Sequence, residues 1–293
     1  MTTTRNAEEV ACNGCGGMET TLYAISPDGH RVVRCVRCGL IYTNPRLRTD
    51  LTGQRVDEQD QDELEREYGA ERALYDARFD ERLDWMASRL PSGARVLDIG
   101  CAWGYFLDRG LRRGFRMAGV EISPRTGMFA KRICRDVHIG ELTTAPWPER
   151  WFDAVTLWHT LEHVPDPSEI LRLAHRLLKP GGTLFLEVPD AGSRIAREQK
   201  EHWVHFRPLS HLYYFDRTTL EVLLAKCGFT CERLEGVSQG TGWGGRLNQL
   251  GLGWVSKALL MSCPGLVMAV RSRLMRTGRT ETDVLIVAAT RRD

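Results

Sequence analysis

From Arg95 onward, short apolar runs alternate with stretches of helical spacing. Val96-Leu97-Asp98-Ile99, Met117 to Ile122, Val137 to Ile139, Ala154 to Trp158 and Thr183 to Val188 read as buried strands. Strands spaced by helices in this way predict an α/β architecture, a doubly wound, mostly parallel sheet with crossover helices. In such a sheet a ligand sits beyond the carboxyl ends of the strands, so the residues that end each run are the candidates for chemistry. The texture upstream is different. Between 57 and 90, Leu64, Tyr68, Ala73, Leu74, Phe79, Leu83, Trp85, Met86 and Leu90 stand among charges in a loose helical pattern that Pro91-Ser92-Gly93 ends. Within the first fifty residues, Thr21 to Ile25 and Arg31 to Val33 flank Ser26-Pro27-Asp28-Gly29, which reads as a short hairpin. The chain divides into 1–50, a helical linker or cap 51–90, and a domain over 91–293.

Composition adds little to this picture until it is resolved along the chain. The 293 residues carry 42% hydrophobic and 27% charged positions and a formal net charge of +2, which excludes disorder, collagen and coiled coil as descriptions of the whole. Charge is unevenly placed. Residues 51–90 hold twelve acidic and six basic residues, whereas 240–280 hold six basic residues and no acidic one. The odd count of nine cysteines is a poor disulfide framework, and Met1 to Val10 lacks the apolar core of a signal peptide. The expectation is a reducing, cytoplasmic setting.

Four cysteines form Cys12-Asn13-Gly14-Cys15 and Cys35-Val36-Arg37-Cys38, with nineteen residues between the pairs. Two thiolates on a tight turn can reach one tetrahedral ion, and a second such knuckle closes the coordination, so 1–50 reads as a zinc ribbon. Gly16 and Gly39 follow each pair, where a left-handed backbone lets amides point at sulfur. Four cysteine ligands leave no position for water, which makes the ion structural. A redox pair or buried thiols is the competing reading. Cys101, Cys134, Cys227, Cys231 and Cys263 remain as ordinary thiols.

The first strand ends in Asp98-Ile99-Gly100-Cys101-Ala102-Trp103-Gly104. A dinucleotide site would carry Gly-x-Gly-x-x-Gly, but position 102 is Ala and 105 is Tyr, and no phosphate-loop lysine follows. An acidic strand tip repels phosphate and suits a positive group. The second strand ends in Glu121, where a carboxylate can accept hydrogen bonds from both hydroxyls of a ribose. The two acids together point to a nucleoside that carries a cation.

Val96 to Gly104, Gly119-Val120-Glu121, Phe152-Asp153-Ala154-Val155, Leu161-Glu162-His163-Val164-Pro165-Asp166-Pro167 and Leu178-Lys179-Pro180-Gly181-Gly182-Thr183 together resemble a class I S-adenosylmethionine-dependent methyltransferase. The resemblance covers about two thirds of the chain and implies a Rossmann-like seven-stranded sheet. It implies S-adenosyl-L-methionine as cofactor, with Gly100 and Gly104 in the turn beneath its methionine moiety, Asp98 orienting the ammonium and Glu121 on the ribose. Glu141 and Leu142 match the segment that meets the adenine.

On the acceptor side, Trp158 and His159 are read as lining the methyl-transfer site, with Trp158 near the cofactor and His159 catalytic. Glu162 and His163 have a structural alternative, holding the loop through hydrogen bonds. His202-Trp203-Val204-His205-Phe206-Arg207-Pro208-Leu209-Ser210-His211-Leu212-Tyr213-Tyr214-Phe215 crowds three histidines and five aromatics ahead of a helix capped by Asp216. Aromatic walls and imidazoles suit an acceptor pocket; an aromatic core patch is the alternative. His211-Leu212-Tyr213-Tyr214-Phe215 resembles a stretch of zinc-containing sugar C-methyltransferases of natural-product pathways, in which that histidine is a candidate base. Ser210 stands where those enzymes carry glutamate, and the chain does not extend into their long C-terminal domain. The leading expectation is therefore methyl transfer to a small molecule, oxygen before carbon, with His211 as general base. A zinc-ribbon RNA methyltransferase and a non-catalytic interaction module are the alternatives, and nucleic acid is disfavoured by the acidity of 51–90. The insertion 240–280, with Pro264 starting a basic amphipathic helix, suggests contact with a membrane or a lipid-like substrate, or simple packing.

Overall fold

The computed structural model describes residues 7–48, 72–237 and 282–292. Residues 51–71 and the whole basic insertion 240–280 lie outside the described residues, as does Cys263.

The N-terminal segment contributes β1 (Ala7–Glu8), β2 (Thr20–Ile25), β3 (Arg31–Cys35), β4 (Ile41–Thr43) and β5 (Arg46–Leu47). A helix, α1 (Arg72–Ala87), leads into the larger domain: β6 (Arg95–Ile99), α2 (Tyr105–Arg112), β7 (Arg116–Glu121), α3 (Pro124–Ile133), β8 (Val137–Ile139), β9 (Phe152–Trp158) and α4 (Pro167–Leu177). It continues through β10 (Leu178–Pro189), α5 (Arg194–Gln199), β11 (Tyr213–Tyr214), α6 (Arg217–Lys226), β12 (Phe229–Val237) and β13 (Val284–Arg291). Seven of these strands form one sheet in the order β12-β13-β10-β9-β6-β7-β8. Strands β10, β9, β6, β7 and β8 run parallel, and β13 runs antiparallel to both of its neighbours. The strand order reverses between β6 and β9, so their carboxyl ends open a crevice.

Period-2 alternation assigns the two faces. Leu97, Ile99, Val155, Leu157, Leu184 and Leu186 bury into a core shared with α4 and α6. Val96, Ala154 and Phe185 point to the opposite face, where Phe79, Leu83 and Met86 of α1 and Phe106 and Leu107 of α2 cover them. The helices start where short polar side chains can satisfy the free amides. Ser123 accepts from Thr126, Asp166 accepts from Glu169, and Asp216 forms a reciprocal box with Thr219. Among the described residues no helix is long and apolar enough to cross a membrane.

The small sheet runs in the order β11-β4-β3-β2. Its edge strand comes from the larger domain: Tyr213 and Tyr214 pair antiparallel with Tyr42 and Ile41. The N-terminal hairpin is therefore stitched into the segment that precedes α6. Further ties run from the first cysteine knuckle, where Asn13 donates to Asp166 Oδ1 at 2.8 Å and accepts from the Ser168 amide. Lys226 reaches the Asn13 and Gly14 carbonyls.

Candidate active site

The turn after β6 is shaped by backbone that favours glycine. Gly100 and Gly104 have φ of 76° and 77°, and Ala102 between them has 45°. A Cβ at Gly100 would stand 2.7 Å from the Thr160 side chain, and one at Gly104 would stand 2.8 Å from Ala130 Cα. The space each glycine leaves is thus filled by the protein itself, by the loop after β9 and by α3. The geometry gives both glycines a packing role that holds the turn in place.

Parallel pairing sets Asp98 beside Gly119 and puts Glu121 two residues further toward the crevice. Asp98 is buried and accepts from Thr156 Oγ1 at 2.6 Å. Burial drives its carboxyl up to about 7, against the Thr156 bond and the charge of Arg82. Such a group gains from a cation brought beside it. Glu121 accepts from the Ala102 amide at 2.8 Å and the Ser123 amide at 2.9 Å, one on each oxygen. A carboxylate has lone pairs left for ribose hydroxyls after two such bonds. Leu142 is buried, whereas Glu141 is exposed, with Thr143 donating to it. Trp158 is half-buried, its ring 5.5 Å from Phe106 and beneath the Arg82 guanidinium at 4.9 Å. The acids and the held-open turn fit a cationic nucleoside.

Across the crevice lies a charged chain that the sequence did not disclose. Arg82 of α1 makes two hydrogen bonds to Glu187 of β10, at 2.8 and 2.5 Å. Glu187 Oε1 lies 3.0 Å from His159 Nε2, and His159 Nδ1 lies 3.1 Å from Glu162 Oε1. Burial opposes a charge on His159, but the Glu162 and Glu187 hydrogen bonds outweigh it and hold the imidazole up at about 9. Burial of Glu187 is likewise outweighed, by Arg82 and then His159, and its carboxyl sits well below the usual range. His159, expected as a catalytic residue, has both ring nitrogens against carboxylates, an arrangement that favours the imidazolium and holds Glu162 in place. The signal for Glu187 was present, a charge inside the apolar run Thr183 to Val188, which demands a buried partner. Nothing local named Arg82 as that partner.

Beyond this chain the histidines stack. His159 and His205 ring centroids are 6.2 Å apart, His205 and His211 6.1 Å, and His163 meets His211 edge-on at 4.7 Å. Burial, together with the charge on His159, lowers His205 to about 3. Burial also takes His211 well below the ordinary imidazole value, so it is neutral with a lone pair available. The N-terminal sheet holds His211 in place: Thr43 Oγ1 donates to the His211 carbonyl at 3.2 Å and the Thr43 amide donates to Leu212 at 2.9 Å. His202 stands apart, exposed to solvent.

At the far end of that sheet the Cys12, Cys15, Cys35 and Cys38 sulfurs lie within 4.8 Å of one another. None is in a disulfide, and Cys12–Cys38 and Cys15–Cys35 approach to 3.4 and 3.5 Å. Four thiolates around zinc at about 2.3 Å stand about 3.8 Å apart, so the set fits with small adjustments. Gly16 and Gly39 adopt φ of 75° and 80°, the left-handed backbone the knuckles require. Cys101, Cys134, Cys227 and Cys231 are free thiols.

A family model described as a methyltransferase domain matches residues 68–234. The chain belongs to that methyltransferase-domain family. Over 114 residues it is 40% identical to the ubiquinone biosynthesis O-methyltransferase of Xanthomonas campestris pv. campestris, which covers 36% of this chain and 47% of that one. The chain thus spans about half the length of the curated relatives it matches. Phosphoethanolamine N-methyltransferase 2 of Haemonchus contortus, solved with phosphomonomethylethanolamine and S-adenosylhomocysteine, superposes with a TM-score of 0.57 at 17% identity, covering 86% of this chain and 63% of that one. A methyltransferase from Thermotoga maritima, described as a possible histamine N-methyltransferase, gives 0.54 at 20% identity, with 81% and 99% coverage. At such identities the two structures share the fold alone.

Proposed function

We propose that the enzyme methylates an oxygen of a small-molecule acceptor of natural-product or sugar type, with His211 as the group that takes the proton. The observation that carries the reading is the neutral, buried His211 on a face of imidazoles and aromatics across the crevice from Asp98 and Glu121. The 40% identity to relatives named as O-methyltransferases supports oxygen over carbon. S-adenosylmethionine, when bound, supplies an electrophilic methyl on a sulfonium. Asp98 orients its ammonium, the Gly100–Gly104 turn lies beneath its methionine moiety and Glu121 accepts the ribose hydroxyls. Leu142 and Glu141 meet the adenine, and Trp158 walls the methyl end. The acceptor O–H proton passes to His211 as the oxygen attacks, and positioning by this chain accounts for most of the acceleration.

Zinc on Cys12, Cys15, Cys35 and Cys38 is structural in this reading. Its role is to keep β3 and β4 in register so that Thr43 and β11 hold the His211 loop. The basic insertion 240–280 contacts a lipid-like acceptor or an anionic membrane surface, and no nucleic acid takes part.

The test is a panel of phenolic, sugar and RNA acceptors assayed for S-adenosylhomocysteine release, with the product methyl located by NMR. The expected product carries an O-methyl group, and His211→Ala lowers turnover at least a hundredfold while S-adenosylhomocysteine affinity stays within threefold. A methyl on carbon or nitrogen, or on RNA, overturns the substrate reading. Full turnover in His211→Ala removes the base.

A further inference from the structure

Glu162, His163 and His211 converge so that one ligating atom from each lies within 4.8 Å of the others. Their hydrogen bonding is incomplete. Glu162 Oε2 and His211 Nδ1 are both buried without a hydrogen-bond partner, in side chains only 1% and 7% exposed. Buried polar atoms are normally paired, so two orphans in one cluster call for an occupant. His163 Nδ1 lies 2.9 Å from the Ser210 carbonyl oxygen, which can only accept. The proton therefore sits on Nδ1, and His163 Nε2 carries a free lone pair. Two imidazoles and a carboxylate are a donor set for a divalent transition ion, and three protein ligands leave positions open to an outside oxygen.

We propose that Glu162, His163 and His211 bind one divalent transition-metal ion, distinct from any ion on the four cysteines, whose open positions take an oxygen of the acceptor. Ligand bonds of about 2.1 Å place the donors roughly 3.4 Å apart. The exposed side chain of His163 has the freedom to close the cluster to that spacing. Orientation is already provided, since Glu162 Oε1 is held by His159, which Glu187 and Arg82 fix in turn. The inference rests on the O-methylation reading and deepens it. The ion acts as a Lewis acid on the acceptor hydroxyl, whose proton leaves to water on the His163 side. The oxygen then forms its bond to the methyl carbon as the carbon–sulfur bond breaks, leaving a neutral thioether. With the ion bound, His211 is a ligand; without it, His211 is the base.

The experiment uses the full chain with its cysteine site loaded with zinc, titrated with Mn2+, which favours nitrogen and oxygen over thiolate. Calorimetry and electron paramagnetic resonance are expected to find one Mn2+ per chain. In Glu162→Gln and His163→Ala, Mn2+ affinity falls at least tenfold while S-adenosylhomocysteine affinity is unchanged. His163→Ala is the decisive variant, because its exposed side chain spares the core. Absence of saturable Mn2+ and Co2+ binding, or parental affinity in His163→Ala, overturns the proposal. Equal methyl transfer by the parent with and without Mn2+ also overturns it, and a loss in His211→Ala under both conditions then leaves the base reading standing.

Discussion

The two walls of the crevice are built by different means. The cofactor wall is local: Asp98, Glu121 and Leu142 stand at or just beyond the ends of β6, β7 and β8, and parallel register alone brings them together. The acceptor wall takes Arg82 from α1, His159 to His163 from the loop after β9, Glu187 from β10 and His205 and His211 from a long connection, with Thr43 of the N-terminal sheet behind them. A site assembled from adjacent strand tips follows from the sheet. One assembled from five segments depends on each long-range contact, and so it can change without disturbing the cofactor.

That contrast breaks most visibly if the cysteine site is emptied. In the proposed zinc-loaded form a structural ion contributes on the order of 10 kcal/mol to folding its own site. Chelation or Cys35→Ser is expected to expose the amides of 208–214 to hydrogen exchange, because β11 loses β4, while S-adenosylhomocysteine affinity changes less than threefold. A parallel collapse of cofactor affinity would show that the walls are one unit. Next is Arg82→Met, which leaves Glu187 buried without its guanidinium partner. Removing one partner of a buried pair costs about 3–5 kcal/mol, to be read as a lower urea midpoint, and Arg82→Lys should recover part of it.

Asp98 sharpens the cofactor side. Its unfolded carboxyl ionises near pH 4 and its folded one near 7, so the folded chain holds the extra proton between those values. Stability from this group therefore falls as pH rises across that window. A bound ammonium favours the ionised form, so S-adenosylhomocysteine affinity should rise from pH 6 to 8 in the parent. Asp98→Asn should be about tenfold weaker and flat with pH; calorimetry at three pH values checks both. The smallest effect is expected at exposed Glu141, where substitution by Ala should alter affinity less than threefold. A larger loss would show that the adenine contact is stronger than the open side chain suggests.

Much of the fold was legible along the chain. The five apolar runs became β6 to β10, four with ends within two residues and β10 starting five residues early at Leu178, Asp216 caps α6, and the paired cysteines cluster beside glycines in left-handed backbone. Each of these rests on neighbours within a few residues, through alternation, capping or a turn, so sequence order alone determined them. The placing of His159 between Glu162 and Glu187 and the Arg82–Glu187 pair behind it were decided by tertiary structure. So was the loan of β11 to the N-terminal sheet, which sets the histidine wall against the crevice. These are meetings of side chains or strands separated by as many as 173 positions, as Ile41 and Tyr214 are. Local periodicity carries no record of such pairs; only the path of the folded chain brings them within bonding distance.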